Sequence, residues 1–238
     1  VVNIGLEGMM LVGAFFGIVV CAETGSWEIG VLGAMVAGGL LALIHAFFSI
    51  HLMADQIISG FAVNFLALGL TGYLFRSMYG TEGTPNLEER IPSVHLPLIE
   101  DIPFIGDIFG DLSLMIWIMF AVVIASFIVL FKTPIGLRLR SVGEHPKAAD
   151  TVGISVFKIR YAAVVVSGML AALGGAYLSF GTGNAFNENM TAGRGYIALA
   201  AVIFGNWRPF GAFGACLLFG FSSALALRLQ GSPLLPTD

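Results

Sequence analysis

Few side chains in this sequence could do chemistry, and they are scattered. The four histidines and two cysteines are the first to weigh for metal or thiol work. His45 and His51 stand six residues apart, on different faces of a helix, which argues against a metal pair. Cys21 and Cys216 each sit inside an apolar run with no CxxC or Cys/His partner, the pattern of buried, reduced, inert thiols. Glu7 borders an apolar run: it either lies in the membrane with a role or caps a helix start at the interface. An intramembrane proton relay would need several Asp, Glu or His residues within the spans, and Glu7 and His45 are almost the whole supply. There is no G-x-x-x-x-G-K-[ST] phosphate loop, no H-E-x-x-H and no G-x-S-x-G. The expectation is a chain without catalysis, metal or cofactor of its own.

The elements that carry these residues are membrane helices. With 57% hydrophobic and 11% charged residues, and a mean hydropathy of +0.91, 238 residues cannot clothe a soluble globule, whose surface is about a quarter or more charged. The 31 glycines suit helices that must approach closely where no hydrophobic effect drives them together; Gly13 and Gly17 form one such pair. Runs at residues 3–22, 29–50, 56–75, 112–131, 161–180 and 209–227 have about the 20 residues a crossing needs. Residues 195–205 are too short, so they form either a half-helix that stops in the membrane or part of a full span beginning near Met190. The predicted class is all-α: a polytopic bundle of about six or seven membrane segments.

Charge orients it. Six of the 11 Lys and Arg residues (Lys132, Arg138, Arg140, Lys147, Lys158 and Arg160) fall within residues 132–160, against Glu144 and Asp150, which marks a cytoplasmic loop. Residues 76–111 carry seven acids and four prolines and read as a long non-cytoplasmic loop, with a short amphipathic piece at 102–109; residues 181–194 form a polar loop on the same outer side. No charged block suggests nucleic acid. In the basic loop, Ser141 and Glu144 have capping-box spacing, Pro146 suits a first helical turn, and Gly153 can end the helix in the left-handed conformation. A helix of about two turns does not persist alone in water and needs a partner surface.

On four stretches the sequence resembles the permease subunits of bacterial ABC importers for simple sugars and nucleosides, most closely those for nucleosides. They are VVNIGLEGMMLVGAF at 1–15, ADQIISGFAVNFLALG at 54–69, FKTPIGLRLRSVGEHPKAADTVGISVFKIRY at 131–161 and GRGYIALAAVIFGNWRPFGAFGACLLFGF at 193–221. The resemblance implies one permease domain over residues 1–238, truncated at both ends, in the bacterial plasma membrane. It implies a homologous second permease, a cytosolic ABC ATPase and an extracytoplasmic substrate-binding lipoprotein as partners. It makes Gly143, Glu144, His145, Pro146, Lys147, Ala148, Ala149, Asp150 and Gly153 the coupling segment that docks on the ATPase. It favours Asn3, Glu7, Asn64, Asn184 and Trp207 along the substrate path, since a nucleoside needs hydrogen bonds and an aromatic face. For each of these five, the alternative is a satisfied interhelical polar contact. An autonomous secondary transporter or channel is the other reading; it would need an inverted repeat, and the likeness of residues 5–17 to 193–205 is too weak to establish one.

Overall fold

The computed structural model describes residues 2–80, 84, 91–95, 110–182 and 184–230. Nine α-helices carry the described chain: α1 (Leu6–Thr24), α2 (Trp27–Ala46), α3 (Gln56–Tyr79), α4 (Leu114–Lys132), α5 (Pro134–Glu144), α6 (Pro146–Thr151), α7 (Val156–Thr182), α8 (Arg194–Phe204) and α9 (Pro209–Gln230). Six are long and apolar enough to cross a membrane: α1, α2 with its extension, α3, α4, α7 and α9. Their alternation puts residues 47–55, 133–155 and 205–208 at the basic end of the bundle. Residues 25–26, 80, 91–95, 110–113 and 184–193 fall at the other end.

Local signals set most boundaries. Ser26 caps α2, so Trp27 and Glu28 open that helix rather than belonging to a polar turn. Asp55 Oδ1 accepts from the amides of Ile57 and Ile58 and starts α3. At its far end α2 widens into a π-turn, Phe47–His51, which stacks His51 on Phe47 at 5.3 Å. α1 begins only at Leu6, so residues 3–5 are not part of the first span, contrary to the expectation from length. α7 starts at Val156, so Lys158 and Arg160 belong to a spanning helix and not to the loop.

α1 is the centre. It packs against α2, α3 and α7, and Met9, Ala14, Phe15 and Ile18 on it are wholly buried. A methyl on Gly13 would run into the main chain of Ala172 on α7, so the two backbones touch there and only glycine permits it. A methyl on Gly17 would meet Ala34 and Ala176 at ordinary contact distance. α4 and α9 stand apart from this core, joined through ring pairs Phe120–Phe213 and Phe127–Phe210. That peripheral position leaves Cys216 exposed on α9, correcting the expectation that both thiols are buried; Cys21 is.

The described parts of the outer segments hold regular structure. Of residues 76–111, the first four complete α3, and β1 (Ser93–His95) pairs antiparallel with β2 (Asp111–Ser113), Val94 opposite Leu112. The amphipathic piece at 102–109 and most of the acids lie outside the described residues. Residues 184–193 fold back into the bundle: Phe186 is buried against Phe15 and Phe75, and its amide donates to Thr84 Oγ1 at 2.9 Å. Arg76 at the end of α3 clamps Glu188 through two bonds of 2.7 and 2.9 Å. That bidentate partner holds the Glu188 carboxyl below the usual carboxylate range.

Candidate functional site

Two helices start inside the bundle, and each borrows its cap from another helix. From Gln56 to Asn64, α3 climbs eight residues, about 12 Å at 1.5 Å per residue, and the first turn of α1 sits at that depth. A helix start leaves amide groups unsatisfied, which is costly away from water. Asn64 Oδ1 accepts from the Gly8 amide at 2.8 Å, and its Nδ2 donates to Ile4 O at 3.1 Å and to the Tyr196 hydroxyl at 2.9 Å. Glu7 then serves α8: Oε1 accepts from the Gly193 amide at 2.8 Å and Oε2 from the Gly195 amide at 2.6 Å. A carboxylate on the positive end of a helix is favoured by dipole and hydrogen bonds together.

The arrangement closes into a ring. α3 caps α1, α1 caps α8, and α8 returns Tyr196 to α3. Glu7 therefore caps a helix start, but one 186 residues away in sequence rather than its own. The approach is close: a Cβ on Gly195 would lie 2.5 Å from the Glu7 Cα. Before α8, Ala192 and Gly193 both take positive φ (44° and 86°); after it, so do Asn206 and Trp207 (55° and 59°). At 11 residues, about 16 Å, α8 is the half-helix alternative and runs from this buried start toward the basic end. The similar segments at 5–17 and 193–205 thus begin at one point and diverge.

Below the ring, at the basic end, a cavity of about 340 Å³ opens between the start of the chain, α5, α7 and α8. Asn3, Arg160, Ser167 and Trp207 supply its polar and aromatic wall; Leu139, Val142 and Gly143 of α5 close one side. Asn3 is 92% buried by its 8% exposure, and its amide nitrogen donates to Ser167 Oγ at 3.2 Å. Among the described residues the oxygen of that amide, itself shut off from solvent, has no hydrogen-bond partner.

The five residues expected along a substrate path thus separate. Asn3 and Trp207 line the cavity, Glu7 and Asn64 hold the ring, and Asn184 sits in the outer loop, buried, with φ 51°. Ser167, Gly195 and Tyr196 were not singled out by the sequence. The Gly-Arg-Gly at 193–195, next to a short apolar run, was the available signal. His45 is wholly buried, its Nδ1 3.0 Å from Ser59 Oγ, while His51 is exposed. Among the described residues no three His, Cys, Asp or Glu groups gather as a metal site.

The basic segment is a helical hairpin rather than one short helix in a loop. Thr133 caps α5 by accepting from the Gly136 amide, and Pro134 opens it. Ser141 does not form a capping box with Glu144. It lies within α5, where helical geometry already satisfies the nearby amides, and its hydroxyl donates to Arg138 O. His145 is the junction, α6 follows, and Gly153 at φ 81° ends it. Glu144, His145, Ala148 and Ala149 line a groove between the two helices, with Ala149 buried at its floor, while Val152 is 72% exposed. Gly143 faces the inner cavity instead.

Residues 1–237 match the family model described as the permease component of branched-chain amino acid transport systems. The chain is 45% identical over 235 residues to the guanosine ABC transporter permease protein NupQ of Bacillus subtilis, covering 95% of this chain and 73% of that one. It is 42% identical to the nucleoside ABC transporter permease protein NupC of Lactococcus lactis (95% and 74% covered). It is 40% identical to the putative glucose ABC transporter permease protein TsgC13 of Haloferax volcanii (98% and 71%). No solved structure matches.

Proposed function

This chain belongs to the family of permease components of branched-chain amino acid transport systems, and from that membership we propose that it carries a nucleoside through the membrane, driven by an ATPase docked on its α5–α6 hairpin. It is a multi-pass membrane subunit of an ATP-driven importer, and it transports rather than catalyses. Nucleoside is favoured over simple sugar because two of the most similar relatives are, by name, permeases for guanosine and for nucleosides. Its partners are a second permease, a cytosolic ATPase and, outside, a substrate-binding lipoprotein facing residues 76–111 and 181–194.

The observation that carries the coupling reading is the hairpin itself. At the basic end Glu144 closes α5, His145 is the junction, Pro146, Lys147, Ala148 and Asp150 stand on a six-residue helix stopped by Gly153, and Val152 offers an exposed apolar contact. A helix this short is stable only because α5 and α7 hold its ends and a partner covers its face. Motion of that partner would reach the membrane through rigid elements: α5 is joined to α4 by one residue, and α7 spans the bundle in 27 residues. Together with residues 1–238 as one permease domain, this describes a body that rearranges while the ATPase does work.

Reconstitution tests it. The full-length permease with its partner permease, ATPase and receptor in proteoliposomes should import guanosine only with ATP hydrolysis. Import that persists when the ATPase is absent or inactive would overturn the reading.

A further inference from the structure

We propose that Arg194 is a fixed positive charge beside the transport path, and that it turns back protons and other small cations while a neutral solute passes. This rests on the transport reading above. The inference starts from depth. Gly195 packs on the Glu7 backbone, and Glu7 sits about 12 Å above the start of α3, so Arg194 opens α8 well inside a hydrocarbon layer about 30 Å thick. The other arginines and lysines of the described residues lie near the ends of spans, in the α5–α6 hairpin or in the turn before α9. Arg194 is nonetheless exposed, and no carboxylate among the described residues pairs with it. Glu188 is taken by Arg76, and both oxygens of Glu7 are taken by the Gly193 and Gly195 amides.

A charged side chain at that depth does not face lipid; it faces protein or a water-filled space. Two observations point to water. The guanidinium turns back on its own loop, where Nη1 donates to Met190 O at 2.9 Å and to Thr191 O at 3.4 Å, the carbonyls just before the left-handed turn at Ala192 and Gly193. Those bonds fix the charge in place without neutralising it. A polar cleft lined by Leu68, Gly72, Tyr73, Arg76, Glu188 and Asn189 also descends α3 from the outer end. Leu68, at its lower end, is about one turn above Asn64, where Tyr196 of α8 meets α3. Water entering by that cleft therefore arrives close to the start of α8. An arginine carries its charge permanently, and between low-dielectric walls a second cation feels it strongly while a neutral nucleoside hardly does.

The test uses the full transporter, with its partner permease, ATPase and receptor, in proteoliposomes. In a Cys21→Ala/Cys216→Ser background, Arg194→Cys removes the charge and leaves a thiol to address. Proton entry during ATP-driven guanosine import, read by a trapped pH-sensitive dye under an inside-negative potential, should rise at least about fivefold. A cationic trimethylammonium thiosulfonate applied from water should return the leak to within about twofold of the parent, whereas a methyl thiosulfonate, which caps the thiol without charge, should not. Receptor-stimulated ATPase activity within about twofold of the parent shows that the variant has assembled; if Arg194→Cys fails that check, Arg194→Gln should leak and Arg194→Lys should not. Parental leak in an assembled neutral variant, equal rescue by both reagents, or no modification from water would overturn the inference. So would loss of assembly by both neutral variants, because Arg194 would then be a structural cation. Failure of the parent itself to import guanosine would instead defeat the nucleoside reading, and the leak comparison would still be read during ATP hydrolysis.

Discussion

Glu7→Ala should loosen the bundle at its centre rather than merely alter a substrate contact. The wild-type carboxylate accepts two amide hydrogen bonds, at 2.8 and 2.6 Å, from the start of α8. Hydrogen bonds to charged groups contribute about 1.5–3 kcal/mol each. The helix dipole adds about 0.3–1 kcal/mol. Water reaching the partly buried site would recover some of this, so a net loss of about 3–5 kcal/mol is expected. For a chain of this size each kcal/mol moves the melting temperature by about 2–4 °C, so the purified protein in nanodiscs should melt about 6–20 °C lower. Glu7→Gln keeps one acceptor but turns an NH₂ group toward the second amide, so it should fall between parent and alanine. Near-ultraviolet circular dichroism during heating is the assay. An alanine variant melting within about 2 °C of the parent would show that α8 does not depend on this cap. A glutamine variant worse than alanine would refute the hydrogen-bond bookkeeping.

Gly195→Ala should be about as harmful as Glu7→Ala, because its methyl meets the Glu7 backbone and neither chain can yield cheaply; the same melting assay applies. Asn64→Leu should cost about 2–4 kcal/mol by stranding the Gly8 amide in a dry interior, and a parental melting temperature would contradict it. Gly153→Val forces a β-branched residue to φ 81° at the end of α6, at a cost of about 1–2 kcal/mol confined to the hairpin. Membrane insertion should survive while ATPase pull-down and transport fall, and normal transport with both Glu144 and Gly153 replaced by bulky apolar residues would refute the coupling role. Arg76 depresses the Glu188 titration, so this pair steadies residues 184–193 above the ordinary carboxylate range and releases them as pH falls through the lowered value. Hydrogen exchange in that segment should therefore rise only once the pH has fallen below the ordinary glutamate range, and Arg76→Gln should move the rise up into that range.

What sequence alone could determine was whatever depends on near neighbours in the chain. Hydropathy over about 20 residues marked α4 to within two residues at either end, and the clustering of Lys and Arg picked out the segment that became the α5–α6 hairpin. Gly153 was legible as a stop because a left-handed terminus is decided by that residue's own backbone. The misreadings arose where a local rule met a distant partner. Residues 3–5 looked like the start of a span, but Asn64 ends α1 there from 60 residues away. Ser141 and Glu144 had capping spacing, yet Thr133 and Pro134 start the helix about two turns earlier and absorb both. Asn3, Glu7, Asn64 and Trp207 were picked out as polar or aromatic groups in apolar surroundings, and tertiary structure divided them into a cavity wall and a capping ring. Spacing cannot make that division, because the amides that satisfy Glu7 lie 186 and 188 residues further on. A half-buried carboxylate in a span announces that it has a partner; only the fold says that the partner is the start of another helix.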